Sequence, residues 1–239
     1  MFAAVRTRFR RWDELATEVL TSRRGRRIAA LFLFEFVVVL LGVLAAQMLQ
    51  ERAARGRAEA DARAAIDRAS EEVAGFRSTA EYWLRASSCL ADRMDSFMRA
   101  AAGGAADSIA TEPRPRMPLS ALTPWSEATT ITARELYGER VVANYSGLAT
   151  MAAKMAQDSH ELAGEWALLG LTNPELGSVT REDRLHARLA ASRIKGRLAS
   201  INVTARNAVE AARRLGVQAN PQRSRLLTLP AGCDRQPDV

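Results

Sequence analysis

Residues 62–101 read ARAAIDRASEEVAGFRSTAEYWLRASSCLADRMDSFMRAA. Stepping alternately by four and three from Ala62 gives Ala62, Ile66, Ala69, Val73, Phe76, Ala80, Trp83, Ser87, Leu90, Met94, Phe97 and Ala101, a series in which only Ser87 is polar. A 3.5-residue period held over that distance places all twelve on one side of a helix. Leu84, Ala91 and Met98 widen the stripe beyond the seam of a two-stranded coiled coil, so the spacing predicts a helix bundle. No proline occurs between Gln50 and Pro113, and Gly103 with Gly104 supplies the stop.

The same periodicity recurs twice downstream. Val141, Tyr145, Leu148, Ala152, Met155, Ser159, Leu162, Trp166 and Leu169 predict a second helix over 134–170. Ala191, Ile194, Leu198, Ile201, Ala205, Ala208, Ala212 and Leu215 predict a third over 180–215, opened by Thr180 with Asp183 and closed by Gly216. Each helix would be about 54 to 57 Å long. Matched lengths and three apolar stripes predict an all-α fold, an antiparallel three-helix bundle over 65–216, with the third helix ending beside Gly103.

Between the first two helices lies a Pro-rich linker, 103–133, with prolines at 113, 115, 118 and 124. Met117, Leu119, Leu122 and Trp125 predict that it docks as a cap over the Gly103 end of the bundle; a partner-binding role is the alternative. PWSEA in this stretch predicts a short helix with Pro124 near its first turn. Residues 51–64, Ala-rich with alternating charge, read as a helical stalk, and 217–239 as a C-terminal tail.

Outward from the stalk, residues 28–50 read IAALFLFEFVVVLLGVLAAQMLQ, with Glu35 the one charge. Twenty-three residues make about 34 Å of helix, enough for a hydrocarbon core of about 30 Å. The 239-residue chain carries 34 basic and 27 acidic side chains. The excess is concentrated in residues 1–27, where eight arginines (Arg6, Arg8, Arg10, Arg11, Arg23, Arg24, Arg26 and Arg27) face Asp13, Glu14 and Glu18. That asymmetry predicts a transmembrane helix whose basic N-terminal segment is cytoplasmic, with everything beyond residue 50 in the periplasm of a bacterial inner-membrane protein. A cleaved signal peptide, favoured by Ala45 and Ala46, is opposed by the length of the apolar run and of the head before it. One span excludes transporters, channels acting alone and two-span chemoreceptors. In the basic head, residues 6–11 with Trp12, Leu15 and Val19 fit an amphipathic helix against lipid or a cytoplasmic partner.

Within the apolar run, Glu35, Gly42, Ala46 and Leu49 share a narrow stripe, and Gly42 with Ala46 forms a small-xxx-small pair. Two readings stand: Glu35 simply snorkels to the interface, or the stripe pairs with a second copy of the helix. LFEFVVVLLGVLAAQML resembles the N-terminal segment of a group of uncharacterised bacterial single-pass inner-membrane proteins with a periplasmic helical domain. Glu35, the valines at 37–39, Gly42, Val43 and Ala46 carry the resemblance. It implies an address and no activity.

Cys89 and Cys233 are the only cysteines. An exported domain would lie where disulfides persist. Cys89 follows the seam out of phase, beside Leu90, and the 17 residues after Gly216 reach it with slack at about 3.3 Å each. We therefore expect an intrachain Cys89–Cys233 disulfide that staples QANPQRSRLLTLPAGC, with Leu226, Leu227 and Leu229 on the bundle; an intermolecular bond or two free thiols are the alternatives.

Chemistry is sparse. His160 and His186 lack a neighbouring nucleophile or metal-ligand spacing, and no phosphate loop or nucleophile elbow occurs, so neither an enzyme nor a cofactor or metal is expected. The third helix is strongly basic, and Arg184, Arg188, Lys195, Arg206 and Arg213 form a candidate face for an anionic partner, or else a merely solvated one. Export makes nucleic acid an unsuitable partner. The reading that follows is a structural or interaction module anchored in the lipid bilayer, able to pair with itself through the membrane helix, that binds another envelope protein. A sensory or regulatory ligand-binding module relaying through that helix is the alternative.

Overall fold

The computed structural model describes residues 23–103, 108–111, 114–230 and 232–233. The proposed amphipathic stretch of the basic head lies outside them. The chain divides into two compact units, residues 1–57 and 58–239.

In the first unit, α1 (Arg23–Gly103) begins and carries the apolar run. The run is helical throughout, and it is long and apolar enough to cross a membrane. Phe32 and Phe34 are 73% and 70% exposed, so no part of the unit covers them.

The second unit is all-α, with no strand among the described residues. The remainder of α1 is followed by α2 (Glu127–Tyr137), α3 (Glu139–Leu169), α4 (Arg181–Arg214) and the short α5 (Pro221–Leu226). Every seam position from Ala62 to Ala101 is buried except the half-buried Ile66. Those residues share one core with Tyr145, Leu148, Leu162 and Leu169 of α3 and with Ile194, Leu198 and Ile201 of α4. Ala62, inside the expected stalk, is fully buried against Ala133 and Val142. On α4 the core face is mostly alanine: Ala187, Ala190, Ala191, Ala205, Ala208 and Ala212 are each no more than 1% exposed. Such small side chains bring the axes of α4 and its neighbours close together.

Helix directions follow from the pairs that bridge them. Along α1, Arg77 donates to the Val217 carbonyl, Asn202 reaches Ser87 at 2.8 Å, and Lys195 meets Asp95 at 2.6 Å. As numbers rise on α1 they fall towards the start of α4, so the two are antiparallel. Between α3 and α4, Asp158 accepts from Ser200 and Glu165 from Arg193, again antiparallel. The bundle is thus the expected antiparallel one, but α1 and α3 run the same way. The third helix therefore ends beside Ala74 and Arg77, not beside Gly103 as expected.

The reason is the linker, which covers the Gly103 end only with Ile109 and Ala110, buried against Gly170–Thr172 beyond the end of α3, and not with the expected Met117, Leu119, Leu122 and Trp125. It runs back along α1, with the Arg116 carbonyl at the Tyr82 hydroxyl (3.0 Å), the Pro118 carbonyl at Trp83 Nε1 (3.4 Å), and Ser120 Oγ at Thr79 Oγ1 (2.9 Å). Glu72 then accepts from both the amide and the hydroxyl of Thr123, each at 2.7 Å. Prolines keep this stretch extended, so its carbonyls are not used within a helix. They are taken by the buried phenol and indole of α1, which would cost free energy if left unpaired. Burial accordingly pushes the Tyr82 hydroxyl above its ordinary pKa.

The expected 134–170 helix is instead two. Ser126 caps α2 by accepting from the Thr129 amide, and Gly138, at φ 86°, separates α2 from α3. That backbone region favours glycine. Arg134 and Glu139 pair across the break. The α4 start matches expectation, with a reciprocal capping box between Thr180 and Asp183. Hydrogen bonds from Thr180, side chain first and then backbone, hold the Asp183 carboxyl below the usual carboxylate range.

Asp158, only 6% exposed, fastens α3 to α4. It takes Lys154 Nζ and Ser200 Oγ, both at 2.9 Å, with Arg197 at 3.8 Å. Removing the carboxylate leaves the part-buried Ser200 hydroxyl short of its acceptor, while Arg197 keeps its closer partner Glu161, and hydrogen bonds to charged groups contribute about 1.5 to 3 kcal/mol. Asp158→Ala is expected to lower unfolding stability by about 2 kcal/mol in urea titration; a change below about 0.5 kcal/mol would show the cluster to be solvated.

Candidate interaction surface

The outward side of α4 is the most distinctive exposed surface of the bundle. Leu185, Leu189, Ser192, Gly196, Ala199 and Val203 are all exposed, and their spacing again alternates four and three. Only Ser192 among them is polar, and its side chain is small. This stripe lies opposite the core stripe of Ala187, Ile194, Leu198, Ile201 and Ala205 on a helix of 3.6 residues per turn. Leu185 is 53% and Val203 59% exposed at its two ends, while Ser192, Gly196 and Ala199 keep the middle low. Nothing would meet a Cβ added at Gly196 within 4 Å. A second helix laid here would approach closely at its centre and meet larger side chains at both ends.

The basic residues sort into two groups. Lys195 is bound to Asp95, and Arg213 lies against Glu210 at 2.9 Å, so both of these expected anion-binding groups are already satisfied within the bundle. Hydrogen bonds from Arg213, then from Arg214, hold Glu210 below the usual carboxylate range. Arg181 and Arg188 form no ion pair among the described residues, Arg206 donates only to Asn202 Oδ1 at 3.2 Å, and Arg184 is half-buried next to Asp183. By helical position Arg181, Arg188 and Arg206 follow one border of the stripe. Arg193 stands on the other border, 59% exposed and loosely paired with Glu165 at 3.4 Å.

Cys89 and Cys233 come together as a disulfide with Cα atoms 5.7 Å apart. The tail reaches Cys89 from the opposite direction to the one expected. It leaves α4 beside Arg77 and folds against α1 through Asn220 N to the Ala74 carbonyl (3.1 Å) and Ser78 Oγ to the Asn220 carbonyl (3.0 Å). Arg223 lies over Gly75, where an added Cβ would stand 3.5 Å from its Cδ, and donates to the Leu119 carbonyl of the linker. Leu227 and Leu229 pack on the core, but Leu226 is 75% exposed and does not. The one-turn α5 aims it outward.

In the apolar run Glu35, Gly42 and Ala46 are all exposed, and nothing approaches the Gly42 face within 4 Å. His160 and His186 are exposed as well, and no group of three or more potential metal ligands occurs among the described residues. The signal for the outward stripe was present in the spacing of α4, hidden by the stronger core pattern on the opposite side. No family model matches this chain, and neither a curated protein nor a solved structure is significantly similar to it.

Proposed function

We propose that the protein is a single-pass bacterial inner-membrane protein whose helical bundle stands in the periplasm and docks an acidic helical segment of another envelope protein on the outward stripe of α4. The observation that carries this reading is the exposed stripe of Leu185, Leu189, Ser192, Gly196, Ala199 and Val203, bordered by Arg181, Arg188 and Arg206. A stripe with small residues at its centre and apolar ones at its ends suits close helix packing. Basic residues that form no ion pair among the described residues along its border suit an acidic partner. The membrane address is supported by the uncovered apolar run and the arginines before it. The cysteine pair accords with an oxidising compartment. The resemblance of residues 33–49 to uncharacterised single-pass proteins agrees with this address and adds no activity.

Two experiments test it. Alkaline phosphatase fused after Val239 is expected to be active; a silent phosphatase with a fluorescent cytosolic reporter at the same position would overturn the topology. A photo-crosslinking side chain placed at Ser192 or Ala199 is expected to capture a discrete partner bearing an acidic helix, while one at exposed Gln222 does not. Arg188→Glu with Arg206→Glu is expected to reduce that adduct at least fivefold. Equal capture from Gln222, or an adduct indifferent to the charge reversals, would refute the docking face.

A further inference from the structure

Beneath the linker lies a cleft of about 230 Å³ that the docking face does not involve. Glu72, Trp125, Tyr145 and Ser146 are among its walls. The Trp125 and Tyr145 rings stand 5.3 Å apart, inclined at 42°, and as a contacting pair form the aromatic wall of the cleft. Tyr145 is held by its hydroxyl, 2.7 Å from Ser70 Oγ. Glu72 is held by Thr123, yet it has no ion-pair partner among the described residues. A fixed carboxylate in no ion pair contributes negative potential to the cleft, offset in part by Arg68 one helical turn before it, and the aromatic wall adds to it through the ring quadrupoles. Arg68 borders the adjoining lobe, of about 120 Å³, and its Nε is bound to the Ala64 carbonyl. Pockets for drug-sized ligands start at roughly 300 Å³, so the two lobes suit a fragment of a few heavy atoms.

We propose that this cleft binds a small organic cation of the quaternary-ammonium class, its methylated head against the Trp125–Tyr145 wall and its charge facing Glu72. Arg68 in the second lobe makes a head that also carries a carboxylate the better ligand. This inference stands apart from the docking of a partner on α4, which shares none of these residues.

The test is calorimetric titration of the full chain in a maltoside detergent, which carries no ammonium group. Choline, glycine betaine and the uncharged carbon isostere 3,3-dimethylbutan-1-ol are the probes. Saturable binding of glycine betaine and choline is expected, with the isostere at least tenfold weaker and glycine betaine the tightest. Glu72→Gln, with its helical circular dichroism unchanged, is expected to weaken both charged ligands about tenfold and to leave the isostere unaffected. Equal affinity for choline and its isostere in the wild-type chain would overturn the proposal without any variant. So would the absence of saturation by tens of millimolar. Choline binding tighter than glycine betaine would remove the role of Arg68.

Discussion

Reducing the Cys89–Cys233 bond, or substituting Cys89→Ser, is expected to lower the thermal midpoint of the bundle by roughly 5 to 15 °C. The bond joins residues 144 apart in sequence. In the chain-entropy view a loop beyond 100 residues restricts the unfolded state by close to 5 kcal/mol, and measured losses of native disulfides run from about 2 to 5. For a domain of this size each kcal/mol moves the midpoint by about 2 to 4 °C. The native-state consequence is local: the tail otherwise rests on α1 through Asn220, Ser78, Ser224 and Arg223. Amide exchange should therefore accelerate first at Asn220, whose N–H is bound to the Ala74 carbonyl, and only later in the centre of α4. A midpoint that shifts by less than about 2 °C on reduction, with Asn220 still protected, would show that those polar contacts hold the tail unaided.

The helices were legible in the sequence because each carries a 3.5-residue stripe, and burial follows those stripes position by position, from Val73 to Ala101 and from Tyr145 to Leu169. The cysteine pairing was legible for a different reason: a 17-residue tail is long enough to reach Cys89 from either end of the bundle. That same slack hid an error about direction. Periodicity says which side of a helix is buried and nothing about which way its neighbour runs. The direction of α3 and α4 follows where the linker goes, and the linker runs along polar partners on α1, among them the Tyr82 hydroxyl and Trp83 Nε1. An unpaired phenol or indole is invisible to a hydrophobic pattern. Gly138 was missed because a glycine inside a periodic run breaks the helix only if the backbone adopts positive φ there, which its neighbours decide. On the candidate surface, charge alone overstated the anion-binding set, since Lys195 and Arg213 have acidic partners that only the fold, in the first case, or the local rotamers, in the second, bring near.

Trp83 is the residue on which linker and bundle depend together, and Trp83→Ala is expected to cost about 3 to 5 kcal/mol. It is 1% exposed in the middle of the α1 seam and meets Tyr82 edge-on at 5.5 Å and 78°. Truncating a buried Trp removes its transfer free energy and leaves a cavity, which accounts for most of that figure. Loss of an aromatic pair adds about 0.5 to 1.5 kcal/mol within the same range. Domains are stable by only about 5 to 15 kcal/mol, so the variant stands near the edge of folding. Trp83→Phe separates the two roles. It retains a ring in the core but leaves the Pro118 carbonyl without its donor, and is expected to cost about 1 to 2 kcal/mol. If the linker is held to α1 through that donor, limited proteolysis should cut Trp83→Phe between residues 114 and 123 faster than the wild type, while the helices remain resistant. Resistance equal to the wild type would assign the hold to the Glu72–Thr123 and Thr79–Ser120 pairs. Thr79→Val, which removes the second of these, should then be the variant whose linker is cut.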